Sequence, residues 1–127
     1  MIPVVFINCR SYPFLDDILA GMKTIETRSR DTLRTVSDMG RRVYLAETGR
    51  GRPVIRASAV IGSGRPVDRS DFDCIRRRTC IPVGSRYDWQ PDTKVKYCYN
   101  LYDVQPVSPF TPPESRRHGR VWMEYNP

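Results

Sequence analysis

The run Leu19-Ala-Gly21-Met-Lys23-Thr-Ile-Glu26-Thr-Arg28 changes its periodicity half-way along, and that change decides how the chain folds. On its N-terminal side, Ser11-Tyr-Pro-Phe-Leu-Asp-Asp-Ile-Leu-Ala20 repeats every three to four residues. Phe14 with Ile18, and Leu15 with Leu19 and Met22, form one apolar stripe, as a short amphipathic helix requires. Ser11 stands where an N-cap is expected, Pro13 is tolerated in a first turn, and Asp16 and Asp17 suit the positive helix end. Gly21 then stops the helix at its C-terminal cap. Beyond the glycine the period is two. Thr24, Glu26 and Arg28 fall on one face of a strand, and Lys23, Ile25 and Thr27 on the other.

Outward from this helix-to-strand joint, most segments read as strands. Pro3 to Ile7 is a short β-branched and aromatic run, and Arg41 to Ala46 is a second candidate. Val54 to Ile61 alternates cleanly, with Ile55, Ala57, Ala59 and Ile61 in one apolar row. The turn Gly49-Arg-Gly-Arg-Pro53 makes the last two a β-hairpin whose loop carries Arg50 and Arg52. Gly62 to Pro66 breaks the strand, and Arg69 to Thr79 reads as a helix around Phe72 and Ile75. Pro82 to Pro91 is a loop with Tyr87 and Trp89, Lys94 to Val104 the longest strand, and Val121 to Tyr125 a closing strand. Gln105 to Gly119, with four prolines, is expected to be irregular. The sum is an α+β chain of five or six strands and one or two short helices. A closed or half-closed barrel follows, because closure removes exposed strand edges. At 127 residues, the expectation is one domain over 1–127.

Composition narrows the partners. No apolar run approaches the roughly 18 residues that span a bilayer, and none resembles a secretory core, so no membrane partner and a cytoplasmic setting are expected. Cys9, Cys74, Cys80 and Cys98 contain no CxxC pair and His118 is the only histidine, so neither a metal site nor a cofactor is expected. The cysteines are expected to be reduced, with Cys98 in the core. Lys and Arg number 21 against 14 acids, a net charge of +7, and only Lys23, Lys94 and Lys96 are lysine. Arginine grips phosphate through a planar fork, so this surplus favours an anionic, phosphate-bearing partner. Arg76-Arg77-Arg78 reads more simply as stabilising a helix C-terminus, and His118 as a solvent-facing loop residue.

Gly21, Lys23, Glu26 and Arg28 also resemble the signature G-x-K-x-x-E-x-R of the ASCH domains, members of the PUA-like β-barrel superfamily. The likeness extends to Ser11-Tyr-Pro13 before the signature, to Ala46-Glu-Thr-Gly49 after the next strand, and to Gly119-Arg-Val-Trp122 near the end. The resemblance implies a small PUA-like barrel with the helix near its mouth and a basic cleft beside it, binding RNA or a modified nucleoside. It places Lys23 at the cleft mouth and Glu26 and Arg28 on the strand floor. Ser11 and Tyr12 at the helix opening, and Arg50 and Arg52 in the hairpin loop, complete the candidate binding set. Arg28 can fork a phosphate, Glu26 can accept from a base amine, and Tyr12, Tyr87 or Trp89 can stack on an unpaired base. The plainer reading of Glu26 and Arg28 is a structural ion pair across a barrel end.

The resemblance also carries an enzymatic alternative. Some bacterial ASCH proteins deacetylate N(4)-acetylcytidine with a lysine, a threonine and a glutamate. The lysine corresponds to Lys23. The threonine lies three positions later, where this chain has Glu26, and the segment that supplies the glutamate offers Asp71, Asp73 and Asp88 here. Glu26 can itself take the carboxylate role, which makes Lys23 and Glu26 the catalytic pair of a small amidohydrolase. Ribonuclease chemistry is least supported, with one loop histidine.

Overall fold

A computed structural model describes residues 1–127. Strands β1 (Ile2–Asn8), β2 (Ile25–Arg28), β3 (Val43–Thr48), β4 (Val54–Ile61), β5 (Arg65–Val67), β6 (Lys96–Phe110), β7 (Arg117–His118) and β8 (Trp122–Tyr125) alternate with three helices. These are α1 (Phe14–Leu19), α2 (Arg34–Asp38) and α3 (Arg69–Thr79). The architecture is a curled, mixed, eight-stranded sheet in the order β2-β6-β4-β3-β1-β8-β7, with β5 paired to β6 beside that path. The pair β1–β3 is parallel and the others are antiparallel. No helix is long and apolar enough to cross a membrane.

The hairpin β3–β4 is as expected, and α3 spans the segment read as a helix. The apolar row of β4 is split: Ala57, Ala59 and Ile61 face the main core, but a bulge between Ile55 and Ala57 turns Ile55 to the other face. Both faces of β1 are covered, which is why its run is continuously apolar. Val5 and Ile7 face the main core with α1, Phe72 and Tyr99. Val4 and Phe6 face a smaller cluster with Ala46, Ile55 and Met123, bordered by Tyr44, Phe110 and Tyr125.

Several expectations are corrected. The strands number eight, not five or six, and the helices three. The additional elements β5, β7 and α2 are five residues long or less, too short to show a period. Helix α1 starts at Phe14, not near Ser11, because Tyr12 precedes a proline and is sterically kept out of helical geometry. Ser11 is exposed, and no side chain caps the helix. Strand β6 runs on through Pro106 and Pro109 to Phe110, where a loop is expected. Its first half pairs with β2 and β5 and its second half with β4 alone, so prolines there need only spare the β4 edge. Asp103, with φ +49°, marks the bulge between the two halves, and its carbonyl accepts from Arg42 at 2.9 Å. The four cysteines are free thiols, with Cys9 and Cys98 buried.

Candidate functional site

The site begins with the way α1 ends. Gly21 adopts φ +75°, a conformation that side chains disfavour. Its N–H bonds the Ile18 carbonyl at 3.1 Å, while Met22 N–H bonds the Asp17 carbonyl at 2.9 Å, which together make a Schellman cap. Lys23 N–H adds a second bond to the Asp17 carbonyl, at 3.0 Å. Lys23 is thus fixed before β2 begins, outside the strand whose alternation put it opposite Glu26. Its side chain is 1% exposed and passes under the Phe14 ring, with Nζ 4.7 Å from the ring centroid. Nζ donates to the Thr79 carbonyl at 2.6 Å and lies 3.6 Å from Glu26 Oε1. The ammonium therefore also neutralises the negative end of α3.

Glu26 is buried on the other side of this contact. Its Oε1 accepts from Thr27 N–H at 3.0 Å, and its Oε2 lies 3.5 Å from Arg28 Nη2. Arg28 in turn donates to the Phe6 carbonyl at 2.8 Å. Phe6 N–H bonds Val121, and in a strand a residue's N–H and C=O face the same edge, so Arg28 reaches β1 where β8 stops pairing with it. The curl of the sheet thus brings β2 opposite β1, and Arg28 spans the gap.

A cavity of about 530 Å³ occupies that gap. Glu26, Thr27 and Arg28 line it from β2, and Phe6, Ile7 and Asn8 from β1. Phe14, Ile81 and Tyr87 make an apolar wall beside Lys23, and Arg52, Arg117 and Arg120 form the rim. The lining holds five cationic side chains and one carboxylate. Gly49, at φ +94°, lets the hairpin loop close against β1, because a Cβ there would sit 2.8 Å from Asn8 Oδ1. Tyr87 is held from behind by Lys96, whose Nζ donates to the Tyr87 carbonyl at 2.8 Å and whose pKa burial pulls down. Asp88 fastens the same loop through Gly84 N–H at 2.8 Å and Trp89 N–H at 2.7 Å, and lies 2.8 Å from Arg76 Nη1. Burial raises the Asp88 pKa, but these bonds outweigh it and hold the carboxyl below its ordinary value.

The structure thus brings Lys23, Glu26, Arg28 and Arg52 into one cavity and leaves Ser11, Tyr12 and Arg50 outside its lining. Tyr12 packs behind the wall, its ring centroid 5.6 Å from Phe14 and 6.1 Å from Tyr87. Trp89 packs 5.8 Å from Phe72 and offers no stacking face to the cavity. His118 does not simply face solvent: it stacks on Trp122 at 3.9 Å, with Nε2 2.8 Å from Glu124 Oε2. Sequence reasoning missed Thr27, Arg117 and Arg120 as lining residues. Only the clustering of cations at 116–120 hinted at the last two.

This fold is shared with solved structures. The ASCH protein of Zymomonas mobilis superposes with a TM-score of 0.66 at 22% identity, over 85% of this chain and 73% of the other. Two of its point variants, a tyrosine-to-phenylalanine and a serine-to-alanine substitution, give the same score and identity, with 75% and 73% of those chains covered. The chain has the ASCH-domain fold. No protein-family model matches the sequence, and no curated protein matches it. Within the ASCH fold, the joint that carries Gly21, Lys23, Glu26 and Arg28 lies where the curled sheet stays open. Chemically, such a floor offers a carboxylate acceptor beside guanidinium and ammonium donors, against an aromatic wall.

Proposed function

We propose that the curled sheet is a PUA-like half-barrel and that its cavity binds single-stranded RNA or a modified nucleoside. The observation that carries this reading is the excess of five cations over one carboxylate lining a pocket of about 530 Å³. Ligand pockets typically enclose about 300–1,000 Å³, so the space suits one nucleotide. A base against Phe14 and Tyr87 can give an amine hydrogen to Glu26 Oε2 and accept from Arg28, while the rim arginines meet phosphates. Titration of single-stranded RNA and of nucleosides at several salt concentrations tests it. For single strands, log K falls with log salt at about −0.7 per phosphate neutralised. Binding that weakens with salt, and weakens again in Arg28→Gln and Glu26→Gln, supports the reading. Absence of binding, or binding that both variants leave intact, removes it.

One observation favours hydrolysis of an N(4)-acetylcytidine-type amide as a second reading: two buried groups, Lys23 and Glu26, lie 3.6 Å apart in the cavity wall. With Lys23 donating to Thr79, the role open to it is polarising the acetyl carbonyl. Glu26 then takes the proton from the attacking water and delivers it to the amine, so the C–N bond breaks and acetate leaves. Cytidine released from N(4)-acetylcytidine by the protein, and not by a folded Glu26→Gln variant, supports this. Equal release by the variant removes Glu26 from the mechanism.

A further inference from the structure

Two zones of the cavity differ in how their charges are met. At the floor, Lys23 and Arg28 share Glu26 and each also donates to a backbone carbonyl. At the rim, Arg52, Arg117 and Arg120 face the same space, and the one lining carboxylate, Glu26, is engaged at the floor by Lys23 and Arg28. Arg120 makes no hydrogen bond or ion pair with the protein, and Arg52 donates only to the Pro112 carbonyl, at 3.1 Å. Arg117 has one partner, Glu114, which lies outside the lining and reaches it from the segment after β6. The contact is two-pronged, Oε1 to Nε and Oε2 to Nη2, the second at 3.2 Å. A phosphate meets a guanidinium in the same side-on manner.

We propose that Glu114 is a built-in placeholder for a ligand phosphate at this rim, and that the ligand is therefore phosphorylated, a nucleotide or phosphodiester and not a bare nucleoside. The proposal rests on the cavity being the ligand site, and deepens that reading. Three features suit Glu114 to leave and Arg117 to stay. The Glu114 side chain is 57% exposed, so it swings into water without losing a buried environment. Residues 111–116 have no regular structure, and Pro112, buried and bonded to Arg52, ties them to the rim just before Pro113 and Glu114. The Arg117 guanidinium rests 5.1 Å over the Phe6 ring, a contact that keeps it aimed when its carboxylate departs. The hydrogen bonds from Arg117, with a smaller effect of Arg52, hold the Glu114 carboxyl below its ordinary pKa, and like any exposed carboxylate it competes as an anion at neutral pH.

The test compares the full chain with Glu114→Gln, and with Glu114→Gln combined with Arg117→Gln, by calorimetric titration. The probes are the common ribonucleosides, their 5′-monophosphates, inorganic pyrophosphate and a short single-stranded RNA. Removing an exposed competitor of this kind should tighten the monophosphates, pyrophosphate and RNA about two- to fivefold, and leave the nucleosides unchanged. Adding Arg117→Gln should cancel the gain and lower the salt slope for RNA by about 0.7. Monophosphates that bind no better to Glu114→Gln than to the parent, or no better than nucleosides, overturn the proposal. If RNA binds parent and variant with equal affinity and salt slope, the placeholder falls while the binding reading stands. If pyrophosphate gains from Glu114→Gln but no nucleoside, nucleotide or RNA binds, the anion site stands and the nucleotide ligand falls. A Glu114→Gln protein that binds none of the probes overturns both.

Discussion

Replacing Lys23 by methionine measures what the lysine does for the fold. Methionine fills a similar volume but removes the ammonium that donates to Thr79 at 2.6 Å. A hydrogen bond from a charged group is worth about 1.5–3 kcal/mol, and the Thr79 carbonyl would be left without that donor at the end of α3. Breaking a fully buried ion pair costs about 3–5 kcal/mol, but that figure overstates this case. Glu26 keeps Thr27 N–H at 3.0 Å and Arg28 at 3.5 Å, and methionine escapes the desolvation cost of a buried charge. A net loss of about 2 kcal/mol follows from these opposing effects, equivalent to roughly 5–10 °C in Tm for a chain of this length. Urea unfolding followed by the fluorescence of Trp89 and Trp122 reads it directly. A midpoint stability within about 0.5 kcal/mol of the parent would refute the idea that this ammonium joins α1 and α3, since even an ordinary neutral bond contributes that much.

Three further substitutions probe the frame around the site. Tyr99 is fully buried and its hydroxyl donates to Asp31 at 2.5 Å while accepting from Leu33 N–H at 3.2 Å, so Tyr99→Phe should cost about 1–3 kcal/mol in urea unfolding at neutral pH. Burial, then the bond to Asp31, raises the Tyr99 pKa, so its contribution is complete below the unfolded value near 10 and is lost as pH climbs beyond it. Stability measured across pH 9 to 11 should therefore fall less steeply in the variant. Gly64→Ala would place a Cβ 2.6 Å from Tyr99 Cε1 and 2.7 Å from Asp31 Oδ1, against a ring with no room to move, and should lower thermal stability by about 1–3 kcal/mol. The depressed carboxyl of Asp88 stabilises the fold above the unfolded pKa near 4, and that contribution is lost as pH falls through the lower folded value. Asp88→Asn should thus be less stable at pH 7 and show a shallower acid limb when unfolding is followed from pH 6 to 2.

Much of this was legible because it is local. The alternation of Ala57 to Ile61 and the helical stripe of Arg69 to Thr79 are set by near neighbours, and β4 and α3 span those residues, whereas the bulge that turns Ile55 to the other face depends on the partner strands. The Gly21 stop was equally readable, because a positive φ after a helix is a backbone demand. What escaped depends on distant partners. Strand β5 holds only Arg65 to Val67 and exists because β6 offers it an edge. Lys23 converges with Glu26 against the strand alternation, since the Schellman cap sets the lysine's direction before β2 starts. Arg117 and Arg120 reach the cavity only because β8 pairs with β1 and carries the preceding turn to its mouth. Ser11 and Arg50 illustrate the opposite case: both are close to the site in sequence, and neither lines it.

The claim at the centre is that the gap between β2 and β1 is where the ligand sits. Backbone amide shifts recorded while a 5′-monophosphate or short single-stranded RNA is titrated into isotope-labelled protein test it most directly. The account predicts saturable shifts at Thr27, Gly49, Gly51 and Arg117, which surround the cavity, larger than any at Arg77 and Arg78. Shifts gathered at Arg77 and Arg78, with the cavity amides still, would contradict it.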